Sequence, residues 1–169
     1  MNRATQKVMF SSGSSEWCTP KPFFKKLDAE FHFTTDVGAT KENALCQDYL
    51  GLDNGRPALT SDWGTVNFCN PPYGRGIGSW VSKAFLESRK GKIVVMLIPV
   101  RTDTKWFHTW ILGKASEIRF IRGRLKFSIP QAKNKENIGK YSAPFPSMVV
   151  VFEPFNHEPR FTAIEAESK

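Results

Sequence analysis

The chain has 169 residues, 40% of them hydrophobic and 24% charged, and its 24 Lys+Arg against 16 Asp+Glu leave a net charge of +8. This length suits one domain with a core of its own. The excess of cations is compatible with two interpretations to a similar degree: a polyanionic partner, or a basic surface that has no such partner. The longest apolar run, residues 93–99, is too short to cross a bilayer, and the first ten residues lack the apolar stretch of a secretory signal.

The N-terminal part of the chain predicts a lead-in, a helix and a strand. Residues 1–15 are polar and end in a Ser/Gly cluster, which indicates a flexible lead-in. After Thr19-Pro20, four apolar side chains recur at helical spacing and predict a helix: Phe23, Phe24, Leu27 and Phe31. We then expect a strand over residues 33–37, a helical turn over 42–49 and a loop over 51–57.

The middle of the chain contains its sharpest local signal. Residues 66–69 predict a short buried strand that stops at Asn70-Pro71-Pro72-Tyr73, because two successive prolines cannot continue a central strand. Three glycines follow, and residues 79–89 predict an amphipathic helix. The apolar, β-branched run over 93–98 predicts a strand that is buried on both faces.

The C-terminal part predicts a helix over 104–112, strands over 117–121, 124–128 and 147–153, and a long basic loop over 130–146. Residues 155–169 have no clear pattern and are left unassigned as a tail. Strands that alternate with helices indicate an α/β domain over residues 16–154 with a mostly parallel sheet. Ligands of such sheets bind where strands end, which singles out residues 36–39 and 70–73.

The residue types of Asn70-Pro71-Pro72-Tyr73 suit methyl transfer to an amino group on a planar base. Such a nitrogen is a poor nucleophile, because its lone pair is delocalised into the ring. The Asn70 side-chain oxygen and the Pro71 carbonyl can each accept one amino hydrogen, and the prolines stiffen the loop that holds them. Tyr73 can stack on the base, which requires the base to leave the duplex. The structural alternative is a rigid turn without a catalytic role.

Together with other segments, this motif resembles the phage-type, Dam-like DNA adenine-N6 methyltransferases, which use S-adenosylmethionine. The resemblance covers roughly residues 14–153 and rests on segments 16–20, 36–39, 42–46, 70–73, 97–107 and 118–127, in the family's order. It implies a compact Rossmann-like methyltransferase domain in which helices flank a twisted, mostly parallel sheet. It further implies methylation of N6 on an adenine flipped out of double-stranded DNA.

The resemblance also implies which residues bind S-adenosylmethionine. Trp17, Thr19 and Pro20 match the segment that shapes the methionine end of the cofactor pocket. Asp36 matches a strand-end acid that accepts a hydrogen bond from the methionine ammonium or a ribose hydroxyl. Two small residues after it, Gly38 and Ala39, let the ligand approach the backbone.

The remaining cofactor contacts are less sharply marked by the sequence. Asn43 is a further polar candidate. The Gly-x-Gly fingerprint of larger methyltransferases is absent after the first strand, so Asp62 and Trp63 are candidates for contacts to the cofactor's adenine. An ordinary loop or cap role for Asp62 is the alternative.

Basic residues in three places are candidates for DNA contacts. Arg101 follows the predicted strand over 93–98. Arg119, Arg122, Arg124 and Lys126 form a basic cluster, for which a solvated strand face is the alternative. Lys133, Lys135 and Lys140 lie in the long loop.

Three cysteines at wide spacings, Cys18, Cys46 and Cys69, form no CxxC pair and favour a reduced, cytoplasmic compartment in a bacterium or a phage-infected host. We expect no metal site, no membrane contact and a monomer. Two other functions stay open: methylation of a different planar amino nitrogen (cytosine N4, an RNA base or a glutamine amide), and DNA binding without catalysis on a methyltransferase scaffold.

Overall fold

The computed structural model describes residues 17–127, 142–155 and 158–166. Within these ranges the chain forms helices α1 (Lys21–Phe31) and α2 (Ile77–Ser88) and a π-helix over Phe107–Ile111. Its strands are β1 (Thr35–Val37), β2 (Asp48–Leu50), β3 (Val66–Cys69), β4 (Ile93–Pro99), β5 (Glu117–Arg122), β6 (Ser147–Phe152) and β7 (Arg160–Glu165).

These strands form one sheet in the order β2-β1-β3-β4-β6-β5-β7. The first four run parallel, β6 is antiparallel to both of its neighbours, and β7 is parallel to β5. This arrangement confirms the predicted α/β class with a mostly parallel sheet flanked by helices, and it is consistent with a Rossmann-like methyltransferase fold. Strands β1 to β5 all end at one edge of the sheet, which we call the carboxyl edge, so the segments that follow them lie side by side.

Apolar side chains cover both faces of this sheet. On one face, α1 buries Phe23 and Leu27 against a cluster that includes Phe68 of β3. On the other face, α2 and the π-helix bury Val81 and Phe107. Between the two layers, residues 94–98 of β4 are fully buried, as the apolar run predicts for a central strand.

The predicted helical turn over residues 42–49 is wrong. A single turn forms, in which the Asn43 side-chain oxygen accepts the Thr40 N–H (2.6 Å) and the Thr40 carbonyl accepts the Asn43 N–H (3.1 Å). It does not continue as a helix, because the Leu45 N–H donates to Asp36 Oδ2 (2.8 Å) instead of to a helical carbonyl. The chain then enters β2, which pairs with β1.

Two further differences lie near the C-terminus. The predicted strand over 124–128 is wrong in its described part, where the buried side chains of Leu125 and Phe127 and one hydrogen bond, from the Ala143 N–H to the Leu125 carbonyl (2.8 Å), hold the segment. Residues 160–165, for which the sequence predicted no element, form β7 and extend the sheet.

The other predicted elements are confirmed to within a few residues, with the helix over 104–112 present as a π-helix. The lead-in over 1–15 and most of the predicted loop over 130–146 lie outside the described residues. In the part of the chain that the structure describes, no helix has the length and apolar character that a membrane span requires.

Candidate active site

A cavity at the carboxyl edge brings most of the predicted catalytic and cofactor-binding residues together. Strand pairing explains why: Asp36 of β1 is the register partner of Phe68 of β3, and Asn70 is the first residue after β3, so Asp36 and Asn70 both lie at the carboxyl edge and line one cavity. The lining consists of Trp17, Cys18, Thr19, Asp36, Gly38, Ala39, Asn43, Leu45, Phe68, Asn70, Pro71 and Pro72.

The side chain of Asn70 is held in one orientation. Its Nδ2 donates to the Trp17 carbonyl (2.5 Å) and to Thr19 Oγ1 (2.9 Å). Its Oδ1 is buried and has no hydrogen-bond partner among the described residues. A buried acceptor left without a partner costs about 1–3 kcal/mol, so this oxygen is open to a donor that a ligand brings.

The rest of the motif supports Asn70 and does not all face the cavity. Pro71 and Pro72 contribute to the lining, whereas Tyr73 lies outside it. The Tyr73 hydroxyl donates to the Leu97 carbonyl (3.2 Å), and burial raises the pKa of this phenol well above its usual range. Its ring packs edge-on against Phe145, with centroids 5.5 Å apart. Tyr73 is therefore a neutral, firmly held side chain next to the cavity.

Asp36 is the charged group of the cavity. Its side chain is 5% exposed, and Oδ2 accepts the Leu45 N–H at 2.8 Å. Burial raises the pKa of Asp36 to about 6, and the Leu45 hydrogen bond offsets only part of this rise. At neutral pH an ionised carboxylate therefore sits in a poorly solvated place, where a ligand that brings a cation or hydroxyl donors would stabilise it.

Residue 38, just after β1, lines the cavity and is glycine because of its backbone conformation and the Trp80 ring beside it. Gly38 has φ +84°, a left-handed conformation, and a Cβ at this position would lie 3.1 Å from the Trp80 ring. Ala39, with a small side chain, follows it in the lining. Asn43 also lies there. Its Oδ1 accepts the Thr40 N–H and its Nδ2 donates to Cys18 Sγ (4.0 Å), which leaves the second Nδ2 hydrogen for a ligand.

Three residues predicted for cofactor binding lie outside the lining. Pro20 precedes α1, where its carbonyl accepts the Phe24 N–H (3.0 Å). Asp62 precedes β3, at the opposite edge of the sheet, where it is exposed and pairs with Lys90 (2.7 Å). Trp63 is buried in the core. Because β3 runs from that edge toward the cavity, the positions of Asp62 and Trp63 do not support contacts to the cofactor's adenine.

The predicted DNA-binding residues that the structure describes lie after β4 and at the end of β5, at the carboxyl edge. They are Arg101, Arg122, Arg124 and Lys126, all exposed. Arg122 pairs with Glu165 (3.1 Å), whereas Arg101 and Arg124 form no ion pair within the described ranges. Lys133, Lys135 and Lys140 lie outside the described residues.

Arg119, the remaining member of the predicted basic cluster, has a structural role. Its guanidinium makes two hydrogen bonds of 2.6 Å to Glu30 and one of 2.9 Å to Glu117, and it lies over the Phe31 ring. Only 11% of its side chain is exposed. These carboxylates neutralise the Arg119 charge, so it is not available to a phosphate.

Some residues near the site had no marker in the sequence. The Leu45 N–H, which holds Asp36, is a backbone group that any residue type supplies. Arg75, exposed and two residues after Tyr73, carries a charge with no ion pair in the part of the chain described. The sequence places this cation beside the motif at 70–73, but nothing in the sequence distinguishes Arg75 from the other arginines of the surface.

The described ranges contain no group of three side chains suited to holding a metal ion. All three cysteines are free thiols. Burial, with the charge of Asp36 as the next cause, raises the pKa of Cys46 to about 12. The Cys46 thiol therefore stays protonated and is a poor nucleophile. Cys18 is the cysteine that lines the cavity.

Comparison with known proteins gives two matches that agree with each other. A family model described as DNA N-6-adenine-methyltransferase (Dam) matches residues 8–169. The chain is also 31% identical, over 142 residues, to a DNA N-6-adenine-methyltransferase of Haemophilus phage HP1 (strain HP1c1). That alignment covers 82% of this chain and 78% of the relative.

Proposed function

Because the chain belongs to the DNA N-6-adenine-methyltransferase (Dam) family, we propose that it transfers a methyl group from S-adenosylmethionine to N6 of adenine in double-stranded DNA. In this proposal the target adenine leaves the duplex and presents its amino group to Asn70 in the cavity at the carboxyl edge. The residues that act are those of the cavity and the exposed cations around it.

The observation that carries the proposal is the open Asn70 oxygen. Both hydrogens of the Asn70 amide are used by Trp17 and Thr19, so Oδ1 is left as a buried acceptor without a partner among the described residues. An exocyclic amino group brings two N–H donors, one for Asn70 Oδ1 and one for the Pro71 carbonyl. These bonds stabilise the nitrogen as it loses conjugation and becomes pyramidal and positive, and the acceptors are in place before the reaction starts.

The cavity fits S-adenosylmethionine by the chemistry of its lining. Asp36, ionised at neutral pH and bonded to one backbone N–H, suits the ammonium or hydroxyl donors of this cofactor. Gly38 and Ala39 bring little side-chain bulk to the lining, Asn43 offers an amide N–H, and the segment of Trp17, Cys18 and Thr19 forms the wall beside Asn70, whereas Pro20 lies outside it. When bound, the cofactor supplies an electrophilic methyl group on a sulfonium sulfur.

Tyr73 and the surface cations complete the proposed site. The Tyr73 ring is held by Leu97 and Phe145 before any substrate arrives, so stacking on a flipped base costs little side-chain entropy. Arg101 and Arg124, exposed at the same edge, contact phosphates on either side of the target nucleotide. Arg122, Lys126 and the lysines at 133, 135 and 140 extend this basic surface.

Product analysis tests the proposal. The full chain is incubated with labelled S-adenosylmethionine and, separately, duplex DNA, RNA and a glutamine-containing peptide, and the products are digested and identified by mass spectrometry. We expect N6-methyladenine from DNA, and at least about a hundredfold less of it from Asn70→Ala. The matched control, Asn54→Ala in the loop after β2, should be as active as the wild type.

Other outcomes would replace the proposal with a named alternative. N4-methylcytosine, methylated RNA or methylated glutamine would identify a different amino acceptor. Retention of DNA without any methylated product would indicate a binding protein on a methyltransferase scaffold. Full activity of Asn70→Ala would remove the motif from the reaction.

A further inference from the structure

The segment of residues 17–19 holds Asn70 through two hydrogen-bond acceptors, the Trp17 carbonyl and Thr19 Oγ1. We infer that this pair forms a cradle that accepts a neutral amide and excludes a carboxylate at position 70, which makes Thr19 a positioning residue for the methyl-transfer step. The inference rests on the proposed function, since it concerns how the acceptor oxygen of Asn70 is aimed.

The Trp17 carbonyl decides which end of the amide faces the cavity. A carbonyl has no hydrogen to donate, so it can stabilise only the orientation in which Asn70 Nδ2 faces it, at 2.5 Å. A flipped amide would set two oxygens against each other. Because Trp17 itself is held edge-on by Phe127 and Phe145, at 5.7 and 5.5 Å, this carbonyl sits on a packed support.

Thr19 fixes the second amide hydrogen. Its Oγ1 accepts the other Nδ2 hydrogen at 2.9 Å, and the residue is only 7% exposed, so water cannot readily replace the hydroxyl. Thr19 also lies two residues before α1, whose buried Phe23 and Leu27 anchor the start of the helix to the sheet. With both Nδ2 hydrogens bound, the plane of the amide is fixed, and this also fixes the direction in which Oδ1 points.

This arrangement separates two roles that Asn70 could have. If Asn70 acted only as an oxygen acceptor, the isosteric Asn70→Asp would serve as well or better, because a carboxylate is the stronger acceptor. In the cradle, however, that carboxylate has no N–H for the Trp17 carbonyl, and one of its oxygens faces this carbonyl. The Thr19 hydroxyl can turn and donate to a carboxylate, but the Trp17 carbonyl has no hydrogen to donate. An aspartate is therefore pushed out of the orientation that an asparagine adopts.

The test measures kcat, the KM for DNA, cofactor affinity by calorimetry and the melting temperature for four variants. We expect Asn70→Asp to lose about a hundredfold in kcat, as Asn70→Ala does. We expect Thr19→Val to lose about tenfold in kcat at saturating cofactor, the effect of one hydrogen bond. Because Thr19 also lines the cavity, cofactor affinity is measured separately, and the loss in kcat reports the positioning role. Thr19→Ser, which keeps the hydroxyl, should restore most of the activity.

Two results would overturn the inference. One is an Asn70→Asp enzyme within about threefold of wild-type kcat, the range expected if only the acceptor mattered. The other is a Thr19→Val enzyme with wild-type kcat at saturating cofactor, since Thr19 would then act only as part of the cavity wall. Either can occur while Asn70→Ala is inactive, so the inference can fail while the proposed function stands. An active Asn70→Ala would instead refute the proposed function.

Discussion

Two buried carboxylates near opposite edges of the same sheet have very different surroundings. Asp36 lies at the end of β1, in the cavity, and Glu87 lies in the last turn of α2, near the starts of β3 and β4. Both are shielded from solvent, at 5% and 0% exposure. They differ in how many donors reach them, and this difference separates a carboxylate that stabilises the fold from one that is available to a ligand.

Glu87 is saturated with donors. Its oxygens accept hydrogen bonds from Lys83 (2.6 Å), Lys90 (2.8 Å) and Lys92 (2.5 Å), and from the Trp63 N–H (3.2 Å). Burial acts to raise the pKa of Glu87, but these hydrogen bonds outweigh it and lower the pKa to about 2. No donor is left for a ligand to supply. Glu87 therefore has a structural role, in which its ion pairs connect α2 to the starts of two strands.

Asp36 is undersupplied with donors. One backbone N–H, from Leu45, reaches it, and burial raises its pKa to about 6. The neighbouring Asn70 has an unpartnered buried oxygen, as judged within the described ranges. The nearby cations differ in the same way as the two carboxylates. Lys90, near Glu87, forms an ion pair, whereas Arg101 and Arg124, at the carboxyl edge, form no ion pair with any described residue. The cavity therefore combines a buried carboxylate that has one donor with a buried amide oxygen that has no partner among the described residues.

The largest expected effect concerns the saturated carboxylate. Glu87→Gln removes the buried counter-charge of three lysines, of which Lys90 and Lys92 keep only the exposed Asp62 as a partner, and should lower the free energy of unfolding by about 3 kcal/mol. Urea unfolding followed by circular dichroism measures this. The control is Asp62→Asn, an exposed partner of Lys90, which should change stability by less than about 1 kcal/mol. Equal effects of the two variants would contradict the structural role of Glu87.

The next effect concerns the open carboxylate and appears in binding. Asp36→Asn keeps the acceptor for the Leu45 N–H but removes the charge, so affinity for S-adenosylmethionine should fall about thirtyfold, the worth of a hydrogen bond to a charged group. Isothermal calorimetry gives the affinity directly. Glu87→Gln, assayed where it remains folded, should bind with unchanged affinity. An Asp36→Asn protein with wild-type affinity would exclude Asp36 from the cofactor site.

The smallest expected effect is a pH dependence of opposite sign at the two carboxylates. The pKa of Asp36 is about 6 in the folded chain against an ordinary 3.8, so the folded state binds its proton more tightly and stability falls as pH rises between these values. For Glu87, lowered to about 2 from 4.5, the stabilisation is complete above the ordinary pKa and is lost as pH falls toward the folded value.

Unfolding of the unliganded chain at several pH values checks this sign. The free energy of unfolding of Asp36→Asn should exceed that of the wild type by about 1–2 kcal/mol near pH 7 and by almost nothing near pH 4. The reason is that the buried wild-type carboxyl is ionised near pH 7, which destabilises the folded state, whereas near pH 4 it is protonated. The account would be wrong about Asp36 if the difference between variant and wild type were the same at both pH values.

Much of this arrangement could be predicted from the sequence, for identifiable reasons. The apolar run over 93–98 is by itself sufficient to predict a central strand, and the prolines after residue 69 predict the end of β3. The motif at 70–73 and the acid at 36 fall at strand ends, so a parallel sheet brings them to one edge without further information. The side chains that carry the proposed chemistry were therefore predictable as a group.

What could not be predicted depends on contacts that side-chain patterns do not encode. The β2 strand has three residues and pairs with β1 after a segment in which the Leu45 N–H donates to the Asp36 carboxylate. Asp62 is close to Asn70 in sequence, yet β3 carries the two to opposite edges of the sheet. The neutralisation of Arg119 by Glu30 joins residues 89 positions apart. The cradle of Asn70 likewise joins it to a segment about fifty residues earlier.

We propose that the Asn70 side-chain oxygen acts in methyl transfer and not in cofactor binding. Single-turnover methylation of duplex DNA at saturating S-adenosylmethionine, combined with calorimetric affinity for the cofactor, distinguishes the two roles. For Asn70→Ala we expect a rate at least about a hundredfold below the wild type, with cofactor affinity nearly unchanged. A normal rate, or a loss that appears only as weaker cofactor binding, would exclude this role of Asn70.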